Sequence, residues 1–238
     1  MGYVPDQFGK GLLIPIQKDH SIKGIQSLEN FRGITISPVI SKVFEQSMLL
    51  LFGKYLDSSD RQFGFKPKVG CSHAIFCVNK VVDYFVFNES TVNICCLDIS
   101  KAFDQLSHNC LFYKLLKRSV PTCFVTILRN WYSKLYSCIA WGKMISDQFH
   151  VSCGIRQGGI LSPVLFTIYV DELLNKLDPY ECRIRGLCYG SFMYADDLIL
   201  LAPSINELQT MINISCSVLK DINLKINVRK SPCIRIGK

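Results

Sequence analysis

Phe192-Met193-Tyr194-Ala195-Asp196-Asp197-Leu198-Ile199-Leu200-Leu201 is a run of apolar, β-forming residues interrupted once, by two adjacent carboxylates. Leu187 to Leu201 therefore reads as two strand-like segments with a hairpin at Asp196-Asp197. A carboxylate at the end of a buried strand is costly unless it is paired or holds a cation. The same break occurs upstream, where Ile94-Cys95-Cys96-Leu97 runs into Asp98 within the β-prone stretch Val92 to Ile99. Such a nearly continuous apolar run suits a strand buried on both faces.

Working outward, Ser162-Pro163 has the form of an N-cap and first helical residue, predicting a helix to about Leu177. Ser204 and Glu207 form a capping-box pattern ahead of a helix over Leu208 to Lys220. Leu224 to Val228 and Cys233 to Ile236 read as short strands. From Val92, leaving aside Ser107 to Val151, the order is strand, helix, strand, strand, helix, strand, which is the split βαβ, ferredoxin-like arrangement. In it the strand ending at Asp98 and the hairpin can be sheet neighbours, with their carboxylates at one end. Clustered carboxylates repel, and a pair of Mg²⁺ ions is the usual remedy. The alternative is ordinary turn chemistry, with Asp98 capping a turn and Asp196-Asp197 forming the hairpin bend.

The remaining elements are a strand-like run from Gly11 to Ile16, a helix from Ser37 to about Tyr55, and a polar, turn-rich stretch from Asp57 to Gly70. A helix follows over Ser72 to Val86, with Ile75, Val78, Val82 and Phe85 at helical spacing. Ser107 is placed to cap a helix. Pro121 opens another, with Phe124, Ile127, Leu128, Trp131 and Leu135 on one stripe. Cys138 to Val151 reads as two short strands around Gly142. Gly154-Ile155-Arg156-Gln157-Gly158-Gly159-Ile160-Leu161-Ser162-Pro163 is a glycine-rich turn entering a helix, a geometry that admits close backbone approach and attracts phosphate. It also suits an ordinary strand-to-helix loop.

Composition narrows the classes. In 238 residues, 49% are hydrophobic and 19% charged, enough to bury a core and too apolar for global disorder. No apolar run approaches the roughly 18 residues of a membrane span. Lys and Arg total 27 against 19 Asp and Glu, a net charge of +8 that suits a polyanionic partner. The basic residues cluster: between Gln105 and Ser146 there is no Asp or Glu, and Lys114, Lys117, Arg118, Arg129, Lys134 and Lys143 alternate with aromatics. That pattern fits a sugar-phosphate backbone and exposed bases, or a packed core with a solvated basic face. The twelve cysteines lack zinc or disulfide spacing and several lie in apolar runs, where a thiol packs as a small hydrophobe. This favours a reducing compartment.

Taken in order, these segments resemble the reverse transcriptase domain of non-LTR (LINE-type) retrotransposons. The resemblance runs through Ile14-Pro15-Ile16-Gln17-Lys18-Asp19, Asn30-Phe31-Arg32-Gly33-Ile34-Thr35, Gln62-Phe63-Gly64-Phe65-Lys66-Pro67, Leu97-Asp98-Ile99-Ser100-Lys101-Ala102-Phe103-Asp104 with His108, the turn Gly154 to Pro163, Tyr194-Ala195-Asp196-Asp197, and Leu224-Lys225-Ile226-Asn227 with Lys230. It implies an α+β right-hand polymerase core with a ferredoxin-like palm, fingers, and the thumb largely absent. Residues 1–91 and 119–151 would be fingers, and 92–118 with 152–238 palm.

The resemblance further implies RNA-directed DNA synthesis from an RNA template, a DNA primer and deoxynucleoside triphosphates, with two Mg²⁺ ions or Mn²⁺ in their place, and no membrane. Asp98, Asp196 and Asp197 would be the catalytic carboxylates, and the metal ligands would be these with the carbonyl of Ile99. Lys18, Arg32, Gln157 and Gly158 match nucleotide-binding positions. Phe103 matches the aromatic that leaves no room for a ribose 2′-hydroxyl. Tyr194 would lie near the primer end, and Lys230 would be a candidate general acid toward pyrophosphate. The implied workplace is intracellular, in nucleus or cytoplasm. Gly33 replaces a common Pro, and Asp221-Ile222-Asn223 replaces a common glycine turn. A chain that stops at Lys238 reads as a fragment. The alternative is a catalytically incompetent relic that only binds nucleic acid. A metal-dependent hydrolase using the same carboxylates would leave Arg32, Phe103 and Gln157 unexplained.

Overall fold

A computed structural model of the chain describes residues 2–18, 28–180, 183–184 and 187–237. In chain order the elements are α1 (Asp6–Gly9), β1 (Lys10–Gln17), β2 (Phe31–Ile36), α2 (Val39–Phe52), α3 (Cys71–Phe87), β3 (Val92–Asp98), α4 (Ala102–Gln105), α5 (His108–Lys117), α6 (Thr122–Tyr132), β4 (Tyr136–Trp141), β5 (Met144–Ile145), β6 (Phe149–His150), α7 (Ser162–Leu177), β7 (Arg183–Ile184), β8 (Leu187–Cys188), β9 (Ser191–Tyr194), β10 (Asp197–Ala202), α8 (Ile205–Asp221) and β11 (Cys233–Ile236). They gather into two compact units, one of residues 1–56 and 107–165, the other of residues 57–106 and 166–238.

The second unit is built on a four-stranded sheet ordered β11-β3-β10-β9, every neighbouring pair antiparallel. Counted along the chain this is fourth, first, third, second, the order the split βαβ pattern predicts. One row of side chains, Leu97 with Leu198, Leu200 and Ala202, is buried, and α8 lies against β10 and β3. Ser204 starts α8 with the expected capping box, its hydroxyl accepting from the Glu207 amide while the Glu207 carboxylate accepts from the Ser204 amide. On the opposite row, Val92, Ile94, Phe192 and Leu201 form a core with Val81 and Phe85 of α3. That packing brings α3 into the same unit as the sheet, whereas the sequence division placed residues 57–91 outside it.

The first unit holds a sheet ordered β2-β1-β4-β5, with β6 beside β4. Strand β2, which periodicity did not mark, pairs antiparallel with β1 from Leu12↔Ile36 to Gln17↔Phe31. Strand β4 pairs parallel with β1. The stripe predicted on α6 is core: Phe124, Leu128, Trp131 and the following Leu135 are buried. Trp131 packs edge-on against Phe44 at 5.5 Å and its indole N–H donates to the Phe8 carbonyl at 3.0 Å. These aromatics therefore serve packing rather than bases. Helix α5 begins at the predicted Ser107 cap and packs on α6 within this unit, so residues 107–118 join it as well.

Two smaller expectations are corrected. Leu224 to Val228 is not a strand: it makes an isolated bridge, Ile99↔Ile226, and then a short 3₁₀ turn over Val228–Lys230. Among the described cysteines Cys95 is buried, but Cys71, Cys96, Cys123, Cys153, Cys216 and Cys233 are exposed. Apolar neighbours in sequence therefore do not place a thiol in the core. No helix among the described residues is long and apolar enough to cross a membrane.

Candidate active site

The face of the sheet that carries Val92 and Ile94 carries, further along β3, Cys96 and Asp98, because side chains alternate along a strand. Across β10 the same row contains Asp197, Ile199 and Leu201, in the register Asp98↔Asp197, Cys96↔Ile199 and Ile94↔Leu201. Asp197 in turn pairs with Tyr194 of β9. Helix α3 covers the Val92–Ile94–Leu201 end of this face, and at the other end Cys96 and Asp197 are exposed. The result is a row of Asp98, Asp197 and Tyr194 at the uncovered end of one sheet face. The hairpin bend is Ala195-Asp196, one residue earlier than the sequence suggests. Ala195 adopts φ +58°, and Asp197 begins β10.

Electrostatics follow from the register. The Asp197 carboxyl titrates above the usual carboxylate range, first because its surroundings desolvate it and second because the Asp98 charge opposes its ionisation. The Asp98 backbone is held on its outer edge by the segment after α8. Its amide donates to the Ser231 hydroxyl at 3.2 Å, and its carbonyl accepts from the Asn227 amide at 2.8 Å. Ser231 donates to the Asn227 carbonyl, and the Ser100 amide to that of Lys225. Lys230 is an exposed side chain on this same segment.

Phe103, on α4, is half-buried. Its ring stacks on the fully buried Phe166 at 4.5 Å and meets Phe65 edge-on at 5.9 Å. It is therefore a packed aromatic with part of its surface open, rather than wholly core or wholly gate.

Among the described residues, no three His, Cys, Asp or Glu side chains form a ready-made cation cage. The donors still fit Mg²⁺. That ion takes hard oxygens, keeps several waters, and is commonly bound through one or two carboxylates plus substrate phosphates. Two carboxylates paired across the sheet, Asp98 and Asp197, offer that kind of partial shell.

The hairpin bend is gripped by the Gln62-Phe63-Gly64 segment. The Gln62 side chain, 1% exposed, accepts from the amides of Gly64 and Ala195 at 2.8 and 3.0 Å and donates to the Ala195 carbonyl at 3.1 Å. Its neighbours pair with β9: the Phe63 amide donates to Met193, and the Met193 amide to Arg61.

The other candidates lie in the first unit. Arg32 is the cross-strand partner of Ile16, so the two share one face of the β1–β2 ladder; Lys18 follows the end of β1, its amide donating to the Asn30 carbonyl at 2.7 Å, and both basic side chains are exposed. Asp19 lies outside the described residues. The turn from Gly154 to Pro163 is fixed from several sides. The Thr35 amide of β2 donates to the Gln157 carbonyl at 2.8 Å. The imidazole of His108 donates to the Gly154 carbonyl at 2.7 Å. The Arg156 guanidinium donates to the carbonyls of Phe8 and Gly9. Buried Glu45 accepts the Leu161 amide at 2.7 Å, and burial drives its carboxyl above the usual range against the pull of the Leu161 and Ile160 amides and of Arg156. Gly158 has φ +115°, and a Cβ there would lie 2.9 Å from the Thr35 carbonyl. The close approach that needs this glycine is thus that of strand β2.

The sequence model of the reverse transcriptase (RNA-dependent DNA polymerase) family matches residues 16–235. The chain belongs to this family. It is a reverse transcriptase domain of the type carried by non-LTR retrotransposons. It is 29% identical over 211 residues, 88% of its length, to the Retrovirus-related Pol polyprotein from the type-2 retrotransposable element R2DM of Drosophila melanogaster, and covers 20% of that protein. It is 27% identical over 214 residues, 86% of its length, to the RNA-directed DNA polymerase from mobile element jockey of Drosophila funebris, covering 22%. The chain thus spans about a fifth of these curated relatives. In fold it is similar to the apo telomerase of Candida tropicalis truncated from its C-terminal domain, with TM-score 0.71, 14% identity, and coverage of 98% of this chain and 51% of that one.

Two buried side chains of this reverse transcriptase domain, Gln62 and Glu45, carry no periodic or motif signal that reveals their partners. Gln62 was visible only as a motif member, and Glu45 only as a polar residue within an apolar helix. A carboxylate three residues before Met48, on the buried side of α2 with Ser41, was the available signal for Glu45.

Proposed function

We propose that this domain is the catalytic core of an RNA-directed DNA polymerase that extends a DNA primer on an RNA template with deoxynucleoside triphosphates. The observation that carries the proposal is the pairing of Asp98 with Asp197 at the uncovered end of the sheet, beside the Asp196 turn. The family works with divalent metal ions. In this reading Asp98, Asp196 and the Ile99 carbonyl would hold two Mg²⁺ ions, with Asp197 as the neighbouring carboxylate. Bound there, such ions would acidify the primer 3′-hydroxyl and offset the charge of departing pyrophosphate.

The domain's own residues have the remaining tasks. Lys18 and Arg32 bind triphosphate oxygens, the guanidinium by its forked donors. Gln157 and Gly158 line the incoming nucleotide. Phe103 closes the space a 2′-hydroxyl would need, Tyr194 lies beside the primer end, and Lys230 delivers a proton toward pyrophosphate. The unit of residues 57–106 and 166–238 serves as palm, and that of 1–56 and 107–165 as fingers. Nuclear or cytoplasmic work follows, since template and triphosphates are found there.

The test is primer extension by the full-length polymerase that contains this domain, given primed RNA, Mg²⁺ and deoxynucleotides. Asp98→Ala and Asp196→Ala should each abolish extension while leaving circular dichroism and template binding intact. Extension that survives both substitutions would refute the assignment.

A further inference from the structure

We infer that Gln62 is a positioning residue for the catalytic hairpin, fixing the Ala195 peptide and through it the placement of Asp196 and Asp197. The inference rests on the polymerase reading for its consequence, but the hold on Ala195 stands on geometry of its own.

The bend needs external support. Ala195 adopts φ +58°, a left-handed conformation that residues with a Cβ avoid and that glycine or asparagine would adopt at less cost. Both of its backbone polar groups, which belong to successive peptide units, meet the Gln62 carboxamide, which accepts from the N–H at 3.0 Å and donates to the carbonyl at 3.1 Å. A single planar group thus sets the orientation of the residue immediately before Asp196.

The carboxamide is itself immobilised. It accepts the Gly64 amide at 2.8 Å, and the Gln62 backbone forms a parallel bridge with Met193 of β9. The preceding Arg61 is anchored through its guanidinium to the Ser191 hydroxyl, the Leu174 carbonyl and the Asp178 carboxylate. Phe63 packs against Phe192 with ring centroids 6.0 Å apart. The fit is close at Gly64 too, where a Cβ would fall 2.2 Å from the Ala195 nitrogen. Residues 61–64 therefore form a rigid brace against the tip of the hairpin. A brace of this kind is what in-line chemistry demands, since a misplacement of about 1 Å can cost on the order of 100-fold in rate.

Three variants separate positioning from simple packing. Gln62→Met keeps the volume and removes every polar contact. Gln62→Glu keeps the accepting oxygen but, when ionised, cannot donate to the Ala195 carbonyl. When protonated it can. Gln62→Ala removes the contact altogether, with circular dichroism checking that each variant folds.

Amide hydrogen exchange should report Ala195 opening at least about tenfold more readily in Gln62→Met, the equivalent of one lost hydrogen bond. In the full-length polymerase kcat should fall by about tenfold or more with the primer-template Kd unchanged. The activity of Gln62→Glu relative to the parent protein should rise as pH is lowered toward the carboxyl's own titration.

An unchanged Ala195 exchange rate in Gln62→Met would overturn the inference, as would a Gln62→Glu to parent ratio that is flat with pH. If instead Asp98→Ala leaves the polymerase active, the polymerase reading fails, while the exchange measurement still judges the brace.

Discussion

Asp98 and Asp197 face each other directly across β3 and β10, on the one row of the sheet that α3 leaves uncovered at its end. Asp197 titrates above the usual carboxylate range, first because its surroundings desolvate it and second because the Asp98 charge opposes its ionisation. Asp98→Asn should therefore bring the Asp197 carboxyl down toward the ordinary range, with the part due to desolvation remaining. Carbon-13 titration of the labelled side chain would measure it. An Asp197 titration identical in the two proteins would mean that burial alone is responsible. In the full-length polymerase the same substitution should cost about 100- to 1,000-fold in rate or more, the scale of losing a focused electrostatic contact.

Phe103 combines packing with an open edge, and its variants should show both. Phe103→Ala loses the stack on Phe166, and for a half-buried ring the cost should be roughly 2 kcal/mol, below the range for a fully buried one. Urea denaturation would measure that. Primer extension with mixed nucleotides should show increased ribonucleotide incorporation. If the variant is destabilised but its deoxy-to-ribo ratio is unchanged, Phe103 is a core aromatic and not a gate.

How much of this was legible in the sequence depends on the range of the interactions involved. The four-stranded sheet is readable because β3, β9 and β10 announce themselves by apolar runs and Asp196-Asp197 by breaking one. Strand β2 is not. Its Arg32, Gly33 and Thr35 give no alternation, and its identity comes from pairing with β1. The segment after α8 departs from its strand-like pattern for a related reason. Lys225 and Asn227 spend their backbone groups on Ser100 and Asp98 rather than on a regular ladder. The brace at Gln62 and the clamp at Glu45 are long-range contacts of buried polar atoms, and periodicity carries no information about which distant peptide such an atom will meet. The division into units turns on α3, whose predicted stripe coincides only in part with its packed face: Phe85 is buried and Val78 and Val82 pack beside it, but Ile75 is exposed and Val81 takes the core position. Its partner, the face of β3, β9 and β10, only the fold supplies.

His108 offers a test by pH. Burial pushes its imidazole below the usual value, opposed by the hydrogen bond to Gly154. The folded domain therefore favours the neutral ring, and the unfolded chain takes up a proton more readily. With unfolded titration near 6.5, stability should be undiminished above that pH. It should fall as pH drops through the window between 6.5 and the lower folded value, because there the unfolded state binds more protons. His108→Gln, which can still donate to the Gly154 carbonyl, should flatten this dependence. Melting temperatures at pH 7.5 and 5.5 for both proteins would check it. An equal acid loss in the variant would assign the effect to other groups.

Gly158 provides the sharpest local test of how the turn from Gly154 to Pro163 is built. A methyl group there meets two obstacles, the positive φ of +115° and the Thr35 carbonyl at 2.9 Å. Gly142 separates the two, since it too has positive φ, at +61°, but no atom within 4 Å of its hypothetical Cβ. Gly142→Ala should therefore cost only the backbone term, about 1 kcal/mol. Gly158→Ala should cost roughly 2–4 kcal/mol, because strand β2 must also yield or the turn must move away from it. Urea denaturation of both variants would measure the difference. Displacing the turn also shifts Gln157, whose carbonyl is fixed by the Thr35 amide. In the full-length polymerase Gly158→Ala should then raise the KM for deoxynucleotides without weakening primer-template binding, whereas Gly142→Ala should leave both unchanged. Equal destabilisation by the two substitutions would show that β2 does not press on the turn at Gly158. An unaltered nucleotide KM alongside a large stability loss would separate that contact from nucleotide binding.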